Sequence, residues 1–567
     1  MPDTLSFAVA SLTLDAPATT STSEPALPTH IHHLPAELLL SIFTVCGSQD
    51  LQFPHTQLET CVAISHVCSR WRQVALRCAE MWAGCFDVEM PSRWMTEVVE
   101  RSRAWPVELV LPSLTKALKE RKGEHFSNTA REIEILRRPC QPRFWMTSPN
   151  KELFQEVIKR CSSFTASLSD EDSAILAQPG IKERLPALEK LSLGFPYIRQ
   201  TLTLDDQGIY NTRQPWSLWS LTLRRCSLNL DATCLSSLQE LSIRGVAPSA
   251  AFTADGWLRF LQSLPHLRSL HLSDAIAAGE VYQSDSRPKD VSLPILEWLY
   301  IDCPFQQSAD LLHRLVVPRM CDVNLYIYSL WSLSDDAFTR FVGWMKSRFT
   351  QEEPTLGTWL GLEMTESKCV ICTRRNFQLE VDFGREYNDD EEQSIANEAS
   401  FDPDELFHEL IGAIRKPAAF VTDLILRLDY TCEVQNFWAF NFRPFVSVTR
   451  ILLSSMESFQ FMLPAFETGT YVAAYDVNEQ CWTDQFLFPA LEKLSFREVD
   501  FRFGEDHGRS LGSYLVTLVQ VRDAASSEGL ASSIAEMEFI ECKTKPRRKE
   551  RREMESYGVR GLRSPKL

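Results

Sequence analysis

The closest cysteine pair in the chain is Cys369-Val370-Ile371-Cys372, a spacing that both metal sites and redox sites use. Structural zinc takes four ligands, and no second pair with suitable spacing follows. A dithiol redox role needs a βαβ setting, which the flanking sequence does not suggest. The pair therefore reads as two unrelated thiols. His30, His32 and His33 also cluster, but they border a Ser/Thr/Pro-rich segment and read as solvated polar residues. There is no GxxxxGKS or GxxxxGKT phosphate loop, no GxGxxG, no GxSxG elbow and no HExxH. Acidic residues are plentiful, but their order along the chain does not show that two carboxylates share a site. No catalytic residue, cofactor or metal site follows, and no enzyme is expected. The competing class, a hydrolase or redox enzyme using the Cys369 region, would need an activity that Cys372→Ser abolishes.

Charge narrows the field further. The 567 residues carry 58 Lys and Arg against 75 Asp and Glu, a formal net charge of −17. Such a field repels phosphate backbones, so no nucleic-acid partner is expected. The local exception is Lys543–Arg552, KTKPRRKERR, which reads as a solvated basic tail, with a nuclear-import signal or an anionic-surface contact as alternatives. The sixteen cysteines form no regular framework, no secretory leader pattern opens the sequence, and no apolar run reaches spanning length. A cytoplasmic or nuclear protein with free thiols and no membrane partner is expected.

With no chemistry to position, the elements must present surfaces. Residues 1–29 are rich in Ser, Thr, Ala and Pro and are expected to form a mobile arm. Leu34-Pro35 then opens a short helix over Ala36–Val45, with Leu38, Leu39, Ile42 and Phe43 forming a wide apolar face. Residues 46–57 read as a loop. Further helices are expected over Leu58–Ser65 and His66–Cys78, the latter with Val67, Trp71, Val74 and Ala75 on one face.

Beyond this region one pattern recurs. LPALEKLSL, SLWSLTL, LSSLQELSI, LPHLRSLHL and LPILEWLYI occur between Leu185 and Ile301, and a weaker VPRMCDVNLYI between Val317 and Ile327. Late copies are FPALEKLSF at Phe488–Phe496 and the Ile534, Met537, Phe539 set, with segments around Leu424 and Ile451 as further candidates. The two apolar residues of each LxL share one face of a strand, and repetition at about 20–30 residues is the mark of leucine-rich repeats. The alternative is that LxxLxL only marks buried strands of an ordinary α/β domain. Between Ser329 and Phe420 the rhythm breaks. There Ser334 is placed to cap a helix carrying Phe338, Phe341, Val342, Met345 and Phe349, Asn388–Glu392 reads as an exposed loop, and another helix starts near Pro403.

The segment LPAELLLSIF, then ISHVCSRWRQVAL, then MW at Met81-Trp82 resembles the F-box. The continuation RSRAWPVELVL at Arg101–Leu111 looks like F-box proteins numerous in mushroom-type fungi. The resemblance implies docking on the Skp-type adaptor of an SCF-type cullin ubiquitin ligase. It implies that Leu34, Pro35, Leu38, Leu39, Ile42, Phe43, Val67 and Trp71 supply the adaptor contact or its support. A unit this small cannot bury so many large apolar side chains alone, which independently favours an interface; a helical cap on the repeats is the alternative. In the LxL strands the intervening residues point away from the core. Of these, Arg224, Arg244, Trp298, Tyr300 and Tyr326 are the types enriched at binding hot spots and are the candidate client stripe, with an ordinary polar strand face as the alternative.

The expected architecture is α/β, a three-helix F-box followed by an irregular leucine-rich-repeat-like solenoid. Its divisions are an arm over 1–29, the F-box over 30–86, repeats over 87–330, an elaborated repeat or insertion over 331–420, repeats again over 421–542 and a tail over 543–567. The expected function is client recognition for a cullin ligase. The alternative is a leucine-rich-repeat scaffold, with an F-box-like cap, that never joins one.

Overall fold

The computed structural model describes residues 34–48, 54–86, 91–111, 152–153, 156–157, 159–167, 187–194, 218–225, 235–246, 251–279, 290–329, 334–349, 358–365, 367–374, 376–383, 403–428, 441–459, 471–476, 481–501 and 510–562. The expected arm, the His30, His32 and His33 cluster, the 388–392 stretch and Leu185 lie outside them. The chain divides into two compact units, one formed by residues 1–107 and 144–153 and the other by the remainder.

The first unit is helical: α1 (Ala36–Ser48), α2 (Pro54–His66), α3 (Ser69–Arg77), α4 (Ala79–Ala83) and α5 (Ser92–Ser102). Helix α2 starts four residues earlier than the sequence pattern suggested, because Pro54 is suited to a first helical turn where no N–H is needed. The third helix is shorter than expected. Cys68 breaks it from α2, its Sγ accepting the Trp71 N–H at 3.4 Å. The core is built from Leu39, Phe43, Cys61, Ala75 and Trp82, all essentially buried. The Phe43 and Trp71 rings meet at 5.0 Å, fastening α1 to α3, and Arg70 donates to the Leu34 carbonyl at 2.6 Å. Trp82 donates its indole N–H to the Ala75 carbonyl at 2.8 Å, and the Arg101 guanidinium sits over its ring.

The second unit is mixed α/β around a large, mostly parallel, open sheet of fifteen strands among the described residues. The strands follow chain order from Val107–Leu111 through Cys161–Ser167, Lys190–Gly194, Ser220–Arg224, Glu240–Arg244, Ser269–Ser273 and Trp298–Pro304 to Asp322–Tyr328. The order then reverses through Phe377–Asp382, Lys368–Thr373 and Trp359–Met364, which form an antiparallel meander. Chain order resumes with Asp423–Leu428, Arg450–Leu453, Lys493–Arg497 and Glu536–Ile540, all parallel. Both outer strands of the meander pair parallel to their non-meander neighbours, so the insertion extends the sheet without breaking it.

Each LxL strand buries the residues that the pattern marks. Leu191, Leu193, Leu221, Leu223, Leu241, Ile243, Leu270, Leu272, Leu299 and Ile301 are all at most 3 % exposed, and so are the preceding Leu188, Leu218, Leu238, Leu267 and Leu296. Successive strands pair in register, Leu191 to Leu221 to Leu241 to Leu270 to Leu299. The residue ahead of each strand donates its N–H to its counterpart one strand back: Trp219 to Glu189, Gln239 to Trp219, Arg268 to Gln239 and Glu297 to Arg268. Thr449 to Thr422, Glu492 to Thr449 and Ala535 to Glu492 repeat this past the meander.

Strand ends are equally regular. Arg225, Gly245, Asp274, Ser329, Glu498 and Glu541 each follow a strand with positive φ, between 47° and 62°. That conformation turns the chain off the sheet at a cost of about 1–2 kcal/mol for a residue with a Cβ. The weak VPRMCDVNLYI copy departs from the pattern at two points, the first being Val317, which is only half-buried. Met320 is 81 % exposed, and Cys321 turns inward in its place.

Helices Ala254–Gln262, Phe305–Leu312 and Asp335–Phe349 follow strands, and the last two pack on each other through Phe305 and Phe341, 5.1 Å apart, and an Arg340–Asp310 ion pair at 2.7 Å. Ser334 caps the last of these as expected, accepting the Ala337 N–H. The three meander strands were not expected. Residues 543–562 also differ from the expected solvated tail, because Arg548–Ser556 form a helix. Its Glu550 accepts from Ser510 Oγ and from the Arg547 N–H, lying against Gly512 where any Cβ would collide with it. Met554, Val559 and Leu562 are buried, so the basic residues form one face of an anchored element.

Candidate functional site

Two surfaces collect the residues singled out from the sequence. On the first unit, helix geometry divides α1 into two faces. Leu39 and Phe43 turn inward and are 0 % and 1 % exposed. Leu38, Ile42 and Val45 turn outward at 50 %, 38 % and 53 %. Their spacing of four and three residues makes one stripe along the helix. Pro35 is exposed beside the start of that stripe, Leu34 is half-buried, and Val67 is exposed at the α2–α3 turn. Val45 and Leu76 join the exposed apolar set without having been singled out. Val45 falls three residues beyond Ile42 and was legible from that spacing. Trp71 is half-buried, and its indole N–H is shielded from solvent with no acceptor among the described residues.

On the second unit, the polar face of the sheet is organised in rows by the strand register. One row runs Gly194, Arg224, Arg244, Ser273, Asp302, Tyr326, Glu380. The next runs Ser192, Thr222, Ser242, His271, Tyr300, Asn324, Gln378, and a third runs Lys190, Ser220, Glu240, Ser269, Trp298, Asp322. Arg224, Arg244 and Tyr326 therefore share a row, with Tyr300 one row away and Trp298 two, all five on the same face. Arg224, Arg244 and Trp298 are exposed, whereas Tyr300 and Tyr326 are half-buried.

His271, which sequence reasoning placed on this face without a role, is its centre. Its ring stacks on Tyr300 at 4.1 Å, and Arg244 reaches its Nδ1 at 3.4 Å. Arginine only donates, so Nδ1 accepts and the proton sits on Nε2. Burial, helped by the Arg244 charge, lowers the imidazole to about 4. Burial likewise raises the Asp302 carboxyl, although a hydrogen bond from Ser273 at 2.9 Å opposes this. Burial also raises Glu380, with Lys368 opposing from 3.9 Å.

The CxxC pair lies on the central meander strand. Residues three apart on a strand project to opposite faces. Accordingly, Cys369 is in the core, its thiol pushed up to about 12 by burial, while Cys372 lies on the polar face beside Gly361. The strand thus holds the two sulfurs apart. Among the described residues no cluster of three His, Cys, Asp or Glu could hold a metal ion, and no helix is long and apolar enough to cross a membrane. No protein-family model matches the chain, and no curated protein is significantly similar to it.

Proposed function

We propose that this chain is the substrate-recognition subunit of an SCF-type cullin ubiquitin ligase. In this reading the first unit is an F-box that docks a Skp-type adaptor, and through it a cullin scaffold. The second unit is a leucine-rich-repeat-like solenoid that holds a client protein. The chain itself catalyses nothing. It raises the effective concentration of the client beside a ubiquitin-conjugating enzyme.

The observation that carries the first half is the outward stripe of Leu38, Ile42 and Val45 on a small helical unit that has already filled its core with Leu39 and Phe43. Exposed apolar side chains aligned on one face of a helix favour a partner. The second half is supported by the regularity of the strands. In-register LxL cores, one-strand-back hydrogen bonds and the positive-φ residue that follows six of the strands fit the way stacked repeats pack on their neighbours. Parallel sheets are ordinarily covered on both faces, and here one face is polar and partly exposed.

The test is reconstitution. The full chain, mixed with a purified Skp-type adaptor and a cullin, should co-elute with both on gel filtration in equal stoichiometry. Elution of the chain alone would sink the ligase reading and leave a repeat scaffold with a helical cap.

A further inference from the structure

The polar face of the sheet is electrically divided, and the division specifies the kind of chain that fits it. In the row nearest the strands' C-terminal ends, Arg224 and Arg244 stand on adjacent strands, followed by Ser273, Asp302, Tyr326 and Glu380. Arg225 adds to the cationic end. Asp274, at the end of the 269–273 strand, and Asp382, at the end of the 377–382 strand, add to the anionic end. Lys368 and Glu363 also lie there as a 3.3 Å pair, and Arg427 approaches Glu363 at 3.7 Å, so the anionic excess is partial. The row through Lys190, Glu240 and Asp322 shows no such segregation. Between the charged ends lies an aromatic platform formed by His271 stacked on Tyr300, with exposed Trp298 one row away. His271 adds no charge to it, because Arg244 occupies its Nδ1.

We infer that the client segment held on this face is an extended, ampholytic peptide that crosses the strands. It would place an acidic residue over Arg224 and Arg244, an aromatic or apolar residue over His271 and Tyr300, and a basic residue over Asp302 and Glu380. This deepens, and rests on, the reading of the face as the client surface.

The register sets the spacing. Neighbouring strands lie about 4.8 Å apart, so Arg244 is roughly 10 Å from Asp302 and roughly 19 Å from Glu380 along the row. An extended peptide advances about 3.4 Å per residue, so its acidic and basic ends are separated by about three to six residues. Arginine suits the acidic end, since its fork matches a carboxylate bidentately.

The experiment uses the full chain and three synthetic peptides of equal length. One has acidic, aromatic and basic blocks in that order, the second has the same residues with the charges alternating, and the third has basic blocks flanking the aromatic one. Binding is read by fluorescence anisotropy at low salt. The blocked peptide should bind on the order of tenfold more tightly than the alternating one, with the advantage shrinking as salt rises. Charge reversal by Arg224→Glu with Arg244→Glu should transfer the preference to the basic-flanked peptide, a swap that mere loss of structure does not produce.

Equal binding of blocked and alternating peptides, abolished by Trp298→Ala with Tyr300→Ala, would overturn the ampholytic inference and keep the client surface. Binding of no peptide at all would overturn both. Concentration-dependent dimerisation lost in the Arg224→Glu, Arg244→Glu variant would assign the face to a second copy of the chain and overturn the inference.

Discussion

The division of α1 into two faces makes a quantitative prediction. Leu38 and Leu39 are neighbours of identical chemistry, one 50 % and the other 0 % exposed. Burying a leucine side chain fully is worth about 1.5–3 kcal/mol, so docking can still gain roughly 1 kcal/mol from Leu38. Leu38→Asp forfeits that and presses a carboxylate against an apolar partner, a further cost of about 2 kcal/mol. The sum, about 3 kcal/mol, weakens adaptor binding by roughly two orders of magnitude. In the free chain the same substitution acts on a position that is already half wet and should cost under about 1 kcal/mol. Leu39→Ala should do the reverse, lowering stability by about 2–5 kcal/mol through the cavity it leaves. Calorimetric titration with a purified Skp-type adaptor gives the first quantity, and urea unfolding gives the second. If Leu38→Asp binds within twofold of the parent, or destabilises as much as Leu39→Ala, the assignment of the outward stripe to a partner is refuted.

Other predictions concern the second unit. Arg522 is fully buried and donates to the carbonyls of Leu487, Phe488 and Ser532. Arg522→Met fills the space but orphans those carbonyls and should cost about 3 kcal/mol in urea unfolding, and an unshifted midpoint would contradict this. His271 has a folded pKa near 4 against 6.5 for the free side chain. Only the unfolded state takes up a proton between these values, so stability is level above pH 6.5 and falls as pH drops toward 4. His271→Gln should flatten that part of the stability curve, and a parallel curve would argue against the burial assigned to the ring. Gly245 has φ +62° at a strand end, whereas Gly343 lies within a helix with open space about it. Gly245→Ala should lower stability by about 1 kcal/mol and Gly343→Ala should raise it by about 0.5–1 kcal/mol. Equal effects on thermal melting would contradict the strained-turn reading.

Much of the fold was readable locally. The LxL motifs announce their strands because side-chain period alone decides which residues share a face, and Leu221 and Leu223 or Leu270 and Leu272 are buried accordingly. The Asp335–Phe349 helix was legible from its Ser334 cap and its apolar spacing. The strands at 359–382 were missed, although FQLEVD alternates cleanly, because the surrounding helices suggested an irregular insertion. The basic run at 543–552 was misread because charge density predicts solvation only where nothing anchors the backbone. Glu550 and Met554 supply that anchor, and both are recognisable only once the Leu511–Ser527 helix lies beside them.

The candidate sites divide the same way. Sequence alone determined that α1 carries more apolar residues than a small unit can bury, and that Arg224, Arg244, Trp298, Tyr300 and Tyr326 face away from the sheet core. Helix and strand periods are local properties, and local patterns reveal them. Which of Leu38 and Leu39 stays exposed depends on where Trp71 of α3 sits against Phe43. That Arg244 meets His271, that His271 meets Tyr300, and that arginines gather at one end of a row and carboxylates at the other depend on strand register. These are relations between residues 20 to 50 or more apart in the chain. Only the tertiary structure could decide them, because hydrogen bonding between strands, not spacing along the chain, sets which residues become neighbours.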